Sequence, residues 1–248
     1  MIHVVLPAYN EAENIGPLLA AIKTSMKNAG LPDYRVLVVN DGSTDGTLAI
    51  LDRLKSDLPL DVLDNGTNMG LAETLKRGLV AAAEQATDDD IIVTMDADNS
   101  HTPALIRRMV FAVQEGNDVV IASRFRYGAR VRGVAYHREL LSLGASLLFR
   151  TVFPIDGVKD FTCGYRAYRA ALLKRAFAEL GPSVLISERG FSCMVDILLK
   201  IREYNPIITE VPLVLRYDLK QGQSKMKVLR TVGDTLRLMA RRRCGMRG

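Results

Sequence analysis

Residues Ile91-Ile92-Val93-Thr94-Met95-Asp96-Ala97-Asp98 form a short apolar run, rich in β-branched residues, that ends in two carboxylates one residue apart. Such a run fits a strand buried on both faces, as in a parallel sheet covered by helices. If the backbone stays extended to the end of the run, the period of two puts Asp96 and Asp98 on one face. Two close carboxylates repel, and without a partner one of them tends to keep a proton. A hard divalent cation, Mg²⁺ or Mn²⁺, removes that conflict because both ions favour oxygen ligands. The plainer reading is an acidic turn at a strand end, since Asp is common in turns.

The neighbouring segments decide what surrounds this strand. Residues 2–6 read as a first buried strand, followed by the loop Pro7-Ala8-Tyr9-Asn10-Glu11. Asn10 and Glu13 have the spacing of a capping box. Ile15, Leu18, Leu19, Ile22 and Met26 then repeat as one helical face. Arg35 to Val39 is a second strand, ending in the polar turn from Asn40 to Thr47. Leu60 to Leu63 is a third, and Asn68-Met69-Gly70 opens a helix through Leu71, Leu75, Leu79 and Ala82. After the strand with the paired aspartates, Thr102 and Pro103 have the pattern of an N-cap and first helical residue, and Asp118 to Ser123 is a fifth strand. Strands alternating with helices through short connections predict an α/β fold: a mostly parallel central sheet with helices on both faces. Ligands of such sheets bind beyond the C-terminal strand ends. Tyr9, Glu11, Asp41, Asp96, Asp98 and Arg124 all fall there.

Beyond Arg124 the pattern changes. Arg126, Arg130, Arg132 and Arg138 lie among glycines, and Leu140 to Phe153 reads as an apolar helix, with Arg150 inside it. A Gly-containing loop, Asp160 to Arg166, precedes helices at 170–180 and 191–201, and Ile207 to Leu215 alternates as an exposed-edge strand. The chain of 248 residues carries a net charge of +5, but from Leu219 onward nine Lys/Arg face one acid. The tail therefore holds +8, and the body is left with five minus eight, or −3. In that tail Met226, Leu229, Val232, Leu236, Met239 and Ala240 fall on one helical face beside Arg230, Arg237 and Arg241, the pattern of an amphipathic helix at an anionic bilayer. Packing of the same stripe on the domain is the alternative. No base-reading or stacking motif accompanies the charge, so nucleic acid is not expected as a partner. No signal pattern precedes the first strand, no apolar run is long enough to span a bilayer, and three widely spaced cysteines fit a reducing compartment. A cytoplasmic, peripherally membrane-associated protein is expected.

The ordered set Leu6 to Glu11, Val39 to Thr47, Asn68 to Gly70, Asp96 to Pro103, Ala122-Ser123-Arg124, Asp160 to Arg166 and Gly222 to Lys225 resembles family 2 glycosyltransferases of the GT-A (Rossmann-like) fold, and most closely their dolichyl- or polyprenyl-phosphate mannosyltransferase branch. The resemblance covers nearly the whole chain. It implies a catalytic domain over 1–218, with a nucleotide-sugar half (1–123) and an acceptor half (124–218), then a closing segment and basic helix (219–248). It also implies that Pro7, Ala8, Tyr9 and Glu11 line the nucleoside pocket with Asp41 near base or ribose. Asp96, Ala97 and Asp98 would meet the diphosphate, with Asp96 and Asp98 holding Mg²⁺ or Mn²⁺. Arg124 and Arg138 would face an acceptor phosphate, and Lys225 would lie in the closing segment. The branch carries Gln as a further metal ligand where this chain has Ser100, whose hydroxyl can ligate directly or through water. No transmembrane helices follow, which leaves room for a membrane-anchored partner.

The implied reaction moves a hexose, mannose favoured, from a nucleoside-diphosphate sugar such as GDP-mannose to a polyprenyl phosphate. Positive charge at Asp96 and Asp98 would stabilise the departing diphosphate. An already ionised lipid phosphate needs positioning, which arginine forks supply. UDP-glucose or another donor with a hydroxyl acceptor is the alternative; it requires a base, for which Asp160 and Asp196 are the candidates. His101 is a candidate for orienting the metal site. A nucleotidylyltransferase would want a glycine-rich loop after the first strand, which is absent. A non-catalytic nucleotide-sugar-binding protein would not need the acidic pair intact.

Overall fold

The computed structural model describes residues 1–134, 136–190 and 192–221, with residues 137–140 described as backbone only. Lys225 and the expected basic helix lie outside the described residues. The elements run in the order β1 (Ile2–Ala8), α1 (Ala12–Ala29), β2 (Tyr34–Asn40), α2 (Thr47–Leu54), β3 (Leu60–Asp64), α3 (Leu71–Gln85) and β4 (Ile91–Thr94). There follow α4 (Leu105–Gln114), β5 (Val119–Ser123), β6 (Arg130–Arg132), α5 (Tyr136–Val152), β7 (Arg166–Arg169), α6 (Ala170–Leu180), α7 (Pro182–Leu185), α8 (Ser192–Ile201), β8 (Ile208–Pro212) and β9 (Val214–Arg216).

A seven-stranded sheet in the order β3-β2-β1-β4-β7-β5-β8 forms the centre, and β6 pairs with β9 outside it. All neighbours in the large sheet are parallel except β7, which runs antiparallel between β4 and β5. β4 and β5 are buried throughout, as strands covered on both faces must be. Ile15, Leu18, Leu19, Ile22 and Met26 of α1 are all buried, so the helical face read from the sequence is the one that packs. Register then aligns the strand ends. Ala8 lies opposite Asn40, and Asn40 opposite Asp64. β4 stops at Thr94 opposite Val5, and the chain continues beside β1 through the Met95 N–H bond to the Val5 carbonyl (3.2 Å). The residues after β1, β2 and β4 thus meet on one rim.

Several local expectations need correction. The strand ends before Asp96, so alternation does not set the two carboxylates. Asn10 is no N-cap: it adopts φ 52°, and its amide oxygen accepts the Thr44 N–H (2.8 Å). Thr102 does not cap α4 either, because its hydroxyl donates to the Val214 carbonyl (3.2 Å). The single strand expected over 207–215 breaks at Leu213 into β8, on the edge of the large sheet, and β9, in the small one.

One glycine is demanded by the rim itself. Gly42 has φ +64°, and a Cβ there would lie 2.3 Å from the Thr67 carbonyl carbon and 2.6 Å from its Cα. Backbone cannot yield as a side chain can. Gly42→Ala is expected to cost about 3 kcal/mol, combining ~1–2 for a left-handed Cβ with ~1–3 for overpacking. A urea unfolding midpoint that is unchanged in the variant would contradict this.

Candidate active site

The acidic pair sits where β4 hands the chain to a bent segment, Asp96 half-buried and Asp98 buried. Asp98 is oriented from both sides. The Ser100 N–H and hydroxyl donate to its Oδ1 (3.1 and 2.5 Å), and the Lys220 ammonium donates to its Oδ2 (2.6 Å). Ser100 is itself buried behind Asp98, where it orients the carboxylate. The Asp96 N–H donates to His101 Nδ1 (3.2 Å), which puts the proton of a neutral ring on Nε2, 4.0 Å from Asp96 Oδ2. Stacking on Tyr165, with ring centres 4.9 Å apart, fixes that imidazole.

Charge tells the two carboxylates apart. Burial is the largest influence on Asp96, and with Asp98 and Glu11 nearby it holds the group above the ordinary carboxylate range against the pull of His101 and Lys220. Burial also raises Asp98, but Lys220 and His101 overcome it and leave the group below that range. Asp96 therefore still wants positive charge. Among the described residues no three His, Cys, Asp or Glu side chains converge as a metal cage. Two carboxylates suit Mg²⁺ or Mn²⁺, which are commonly held by one or two carboxylates together with substrate phosphates. That Asp98 already accepts a cationic group shows that the donor set accommodates one.

The other walls come from loops stitched together. Pro7 and Ala8 end β1, followed by Tyr9; Glu11 is buried at the start of α1 and accepts an N–H from Asn14 (2.7 Å). Asn10 and Ser43 tie this loop to the turn after β2 (2.9 Å). Asp41 is buried and accepts from Asn65 Nδ2, the Met69 N–H and the Gly70 N–H (2.9, 2.8 and 2.9 Å), so it shapes the rim by holding the loop before α3. Ala97 is buried between the aspartates.

Arg124 also reaches the rim, but much of its guanidinium is committed. Its Nε and Nη2 fork onto Asp160 (2.8 and 2.6 Å), and Nη2 also donates to Thr162 (2.6 Å). About a quarter of the side chain, 23%, stays exposed, while Asp160 has none. Burial would raise Asp160; Arg124 more than reverses this and holds it below its ordinary value. Asp196 is equally buried, and its Oδ2 accepts from Lys200 (2.8 Å) and from the Ser187 and Glu188 N–H groups. Arg138 falls in the first turns of α5, its side chain outside the described set.

Sequence reasoning missed Lys220, Asn14, Thr162 and Gly164. Asn14 left a signal, being a polar residue on an otherwise apolar helical face beside Ile15 and Leu18. Gly164 faces Asp96 so closely that a Cβ would come 3.5 Å from Oδ1 and 3.2 Å from Met194 Cε.

Residues 3–177 match the family described as Glycosyl transferase family 2. The chain belongs to that family. This bears out the family expected from the ordered motifs, and with it the enzyme class, a glycosyltransferase. The chain is 32% identical over 227 residues to a dolichol-phosphate mannosyltransferase of Pyrococcus furiosus, covering 91% of this chain but only 59% of that protein. It is 30% identical over 225 residues to a polyprenol monophosphomannose synthase of Mycolicibacterium smegmatis, covering 90% and 80%. Among solved structures, glucosyl-3-phosphoglycerate synthase from Mycobacterium tuberculosis, crystallised with Mn²⁺, UDP and glucosyl-3-phosphoglycerate, superposes with a TM-score of 0.66 at 23% identity, over 99% of this chain and 80% of that one. That likeness is one of fold, and the fold is GT-A, as the sequence led one to expect.

The Asp160–Arg124 pair generates a pH prediction. Because the folded state depresses the Asp160 pKa, its contribution to stability is fully present above the unfolded carboxylate value, about 3.9, and is lost as pH falls through the lower folded value. Asp160→Asn leaves a buried guanidinium short of its partner and is expected to cost about 3–5 kcal/mol at neutral pH. Its stability should also fall less steeply in acid than that of the wild type. Denaturant unfolding at neutral pH and below about pH 4 reads both effects, and parallel acid limbs would contradict the assignment.

Proposed function

We propose that this glycosyltransferase moves a hexose, mannose by preference, from a nucleoside-diphosphate sugar such as GDP-mannose to a polyprenyl phosphate at a membrane surface. The observation that carries the reading is a continuous chain of contacts from the acidic site to an exposed apolar helix. Gly164 abuts Asp96, and its loop holds Arg124 through Asp160. The same loop seats α5, through Ser146 Oγ on the Lys159 carbonyl (2.6 Å) and stacking of Phe149 on Phe161 (5.3 Å between ring centres). On its outer side α5 exposes Tyr136, Leu141, Leu143, Leu147 and Leu148. Exposed Arg126, Arg130 and Arg132 precede it. An apolar face beside basic groups is what a lipid with an anionic head requires.

Chemistry favours a phosphate acceptor over a hydroxyl. A hydroxyl acceptor needs a base, and both carboxylate candidates, Asp160 and Asp196, are fully buried and consumed by internal partners. A lipid phosphate is ionised already. In this reading residues 1–123 supply the donor half and 124–218 the acceptor half. Pro7, Ala8, Tyr9, Glu11 and Asp41 form the nucleoside side, Asp96, Ala97 and Asp98 the diphosphate side, and Arg124 and Arg138 position the acceptor phosphate. Mg²⁺ or Mn²⁺ held by Asp96 and Asp98 would supply positive charge to the departing diphosphate. Ser100 and His101 keep the two carboxylates aimed, and Lys225 and the basic tail contribute a closing segment and further attraction to anionic lipid. No described helix is long and apolar enough to cross a membrane. In this reading docking is peripheral, through the exposed face of α5, and a membrane-anchored partner would be an addition to it.

Incubation with GDP-mannose, UDP-glucose and UDP-N-acetylglucosamine separately, with Mn²⁺ and polyprenyl phosphate, should give a mannosylated lipid phosphate by mass spectrometry; transfer only to a hydroxyl compound would overturn the reading. Asp98→Asn should lower kcat by about a hundredfold or more, on the scale of removing one electrostatic group at a reacting centre, while far-UV circular dichroism shows that the variant still folds. EDTA should abolish wild-type turnover; undiminished activity in EDTA refutes metal use. For the membrane, Leu143→Asp with Leu147→Asp alters two exposed positions, 55% and 60% accessible. Each buried leucine contributes roughly 1.5–3 kcal/mol, so co-sedimentation with phosphatidylglycerol vesicles should fall by more than tenfold without loss of folding. Equal binding by the double variant would move the docking role to the tail, which a chain ending after Met239 then tests.

A further inference from the structure

Lys220 carries a role that the reading above leaves unassigned. Its ammonium lies 2.6 Å from Asp98 Oδ2, and the two side chains are only 9% and 12% exposed. The segment that brings it there is fastened on both sides of the acidic mouth. On one side the Arg216 N–H donates to the Ser100 carbonyl (2.8 Å), and Leu215 forms an isolated bridge with His101. On the other, the Gln221 N–H donates to Asn14 Oδ1 (2.9 Å), and Asn14 Nδ2 donates back to the Gln221 carbonyl (3.1 Å). Asn14 is the residue that also holds Glu11. The Tyr217 ring lies 5.2 Å from the ammonium. Residues 215–221 are thus a strap pinned across the mouth, with one cation aimed inward.

That cation and a divalent ion compete for the same oxygen. An ion coordinated to Asp98 Oδ2 at the ~2.0–2.1 Å of Mg²⁺ would lie within a few ångström of an ammonium on the same oxygen, and the two positive charges repel in a half-dry site. A nucleoside diphosphate changes the balance, because it brings negative charge that can take the ammonium as its own partner.

We propose that Lys220 is the resident counter-cation of Asp98, which keeps free divalent ions out, so that metal enters together with the diphosphate and Lys220 then transfers from Asp98 to that diphosphate. This rests on the donor reading above and makes Lys220 a positioning residue that couples metal to nucleotide.

The test is Mn²⁺ binding, followed by the free-ion electron paramagnetic resonance signal, with and without GDP or UDP, in the full chain and in Lys220→Gln and Lys220→Arg. In the wild type, nucleotide should tighten Mn²⁺ by about tenfold or more, within the usual range of coupled binding. Lys220→Gln should bind Mn²⁺ alone about tenfold more tightly and lose most of the nucleotide effect, as expected when a coupling element is removed. Lys220→Arg should behave as the wild type. Thermal midpoints confirm that each variant is folded. If Lys220→Gln binds Mn²⁺ alone no better than a wild type whose nucleotide-dependent binding is intact, the inference fails and the donor reading stands. If the wild type binds no Mn²⁺ even with either nucleotide, the donor reading fails and takes the inference with it.

Discussion

A carboxylate with no exposed surface must have its charge met from within, and in this protein the demand is met at Asp160. Both its oxygens take the Arg124 fork, and the backbone N–H groups of Arg124, Thr162 and Cys163 also donate to it. Breaking one partner of such a group is far more costly than the pair is stabilising. The loop from Asp160 to Tyr165 is consequently held in one conformation. Three parts of the site lean on it: Gly164 against Asp96, Tyr165 under His101, and Phe161 under α5. Arg166 secures the far end, fully buried, with its guanidinium donating to the carbonyls of Cys163, Met194 and Phe161 (2.8, 2.8 and 2.7 Å).

In the proposed reading, the same loop would make donor and lipid sites neighbours without their sharing residues. Its polar inner side faces the carboxylates, while its apolar outer side supports a helix whose own exterior is leucine-rich. A reaction between a water-soluble sugar nucleotide and a membrane-bound phosphate needs two surfaces of opposite character a short distance apart. In that reading one loop between them would supply both, and the buried carboxylates Asp160 and Asp196 are spent on internal ion pairs.

Much of this was legible in the residues themselves. Continuous apolar runs ending in polar turns fixed β1, β2, β4 and β5, and parallel topology then required their ends to share a rim. What escaped was whatever depended on distant partners. Arg166–Arg169 reads Arg-Ala-Tyr-Arg, with no strand alternation; it becomes β7 between β4 and β5 once carbonyls from α8 and its own loop satisfy the buried Arg166 guanidinium. Asn10 and Thr102 carry cap chemistry, but Ser43–Thr44 and Val214 claim their polar groups first. Lys220 sits in a basic tail whose charge reads as a membrane signal; only the fold brings it back across 122 positions to Asp98.

The antiparallel insertion of β7 has a consequence for how the chain assembles. β3, β2, β1 and β4 can pair as soon as residues up to Thr94 exist, each contact being parallel and served by a nearby helix. β5 has no such neighbour. It pairs only with β7 and β8, which lie some forty-five and ninety residues further along. Closing loops of that length is slow compared with local helix formation. A chain emerging in sequence would hold a half-sheet with Asp96 and Asp98 at an open edge until residues 166–169 arrive. The strands β3, β2, β1 and β4 thus have the contacts to form early, whereas the remaining walls of the acidic mouth, Gly164 and Lys220, come from parts of the chain made later.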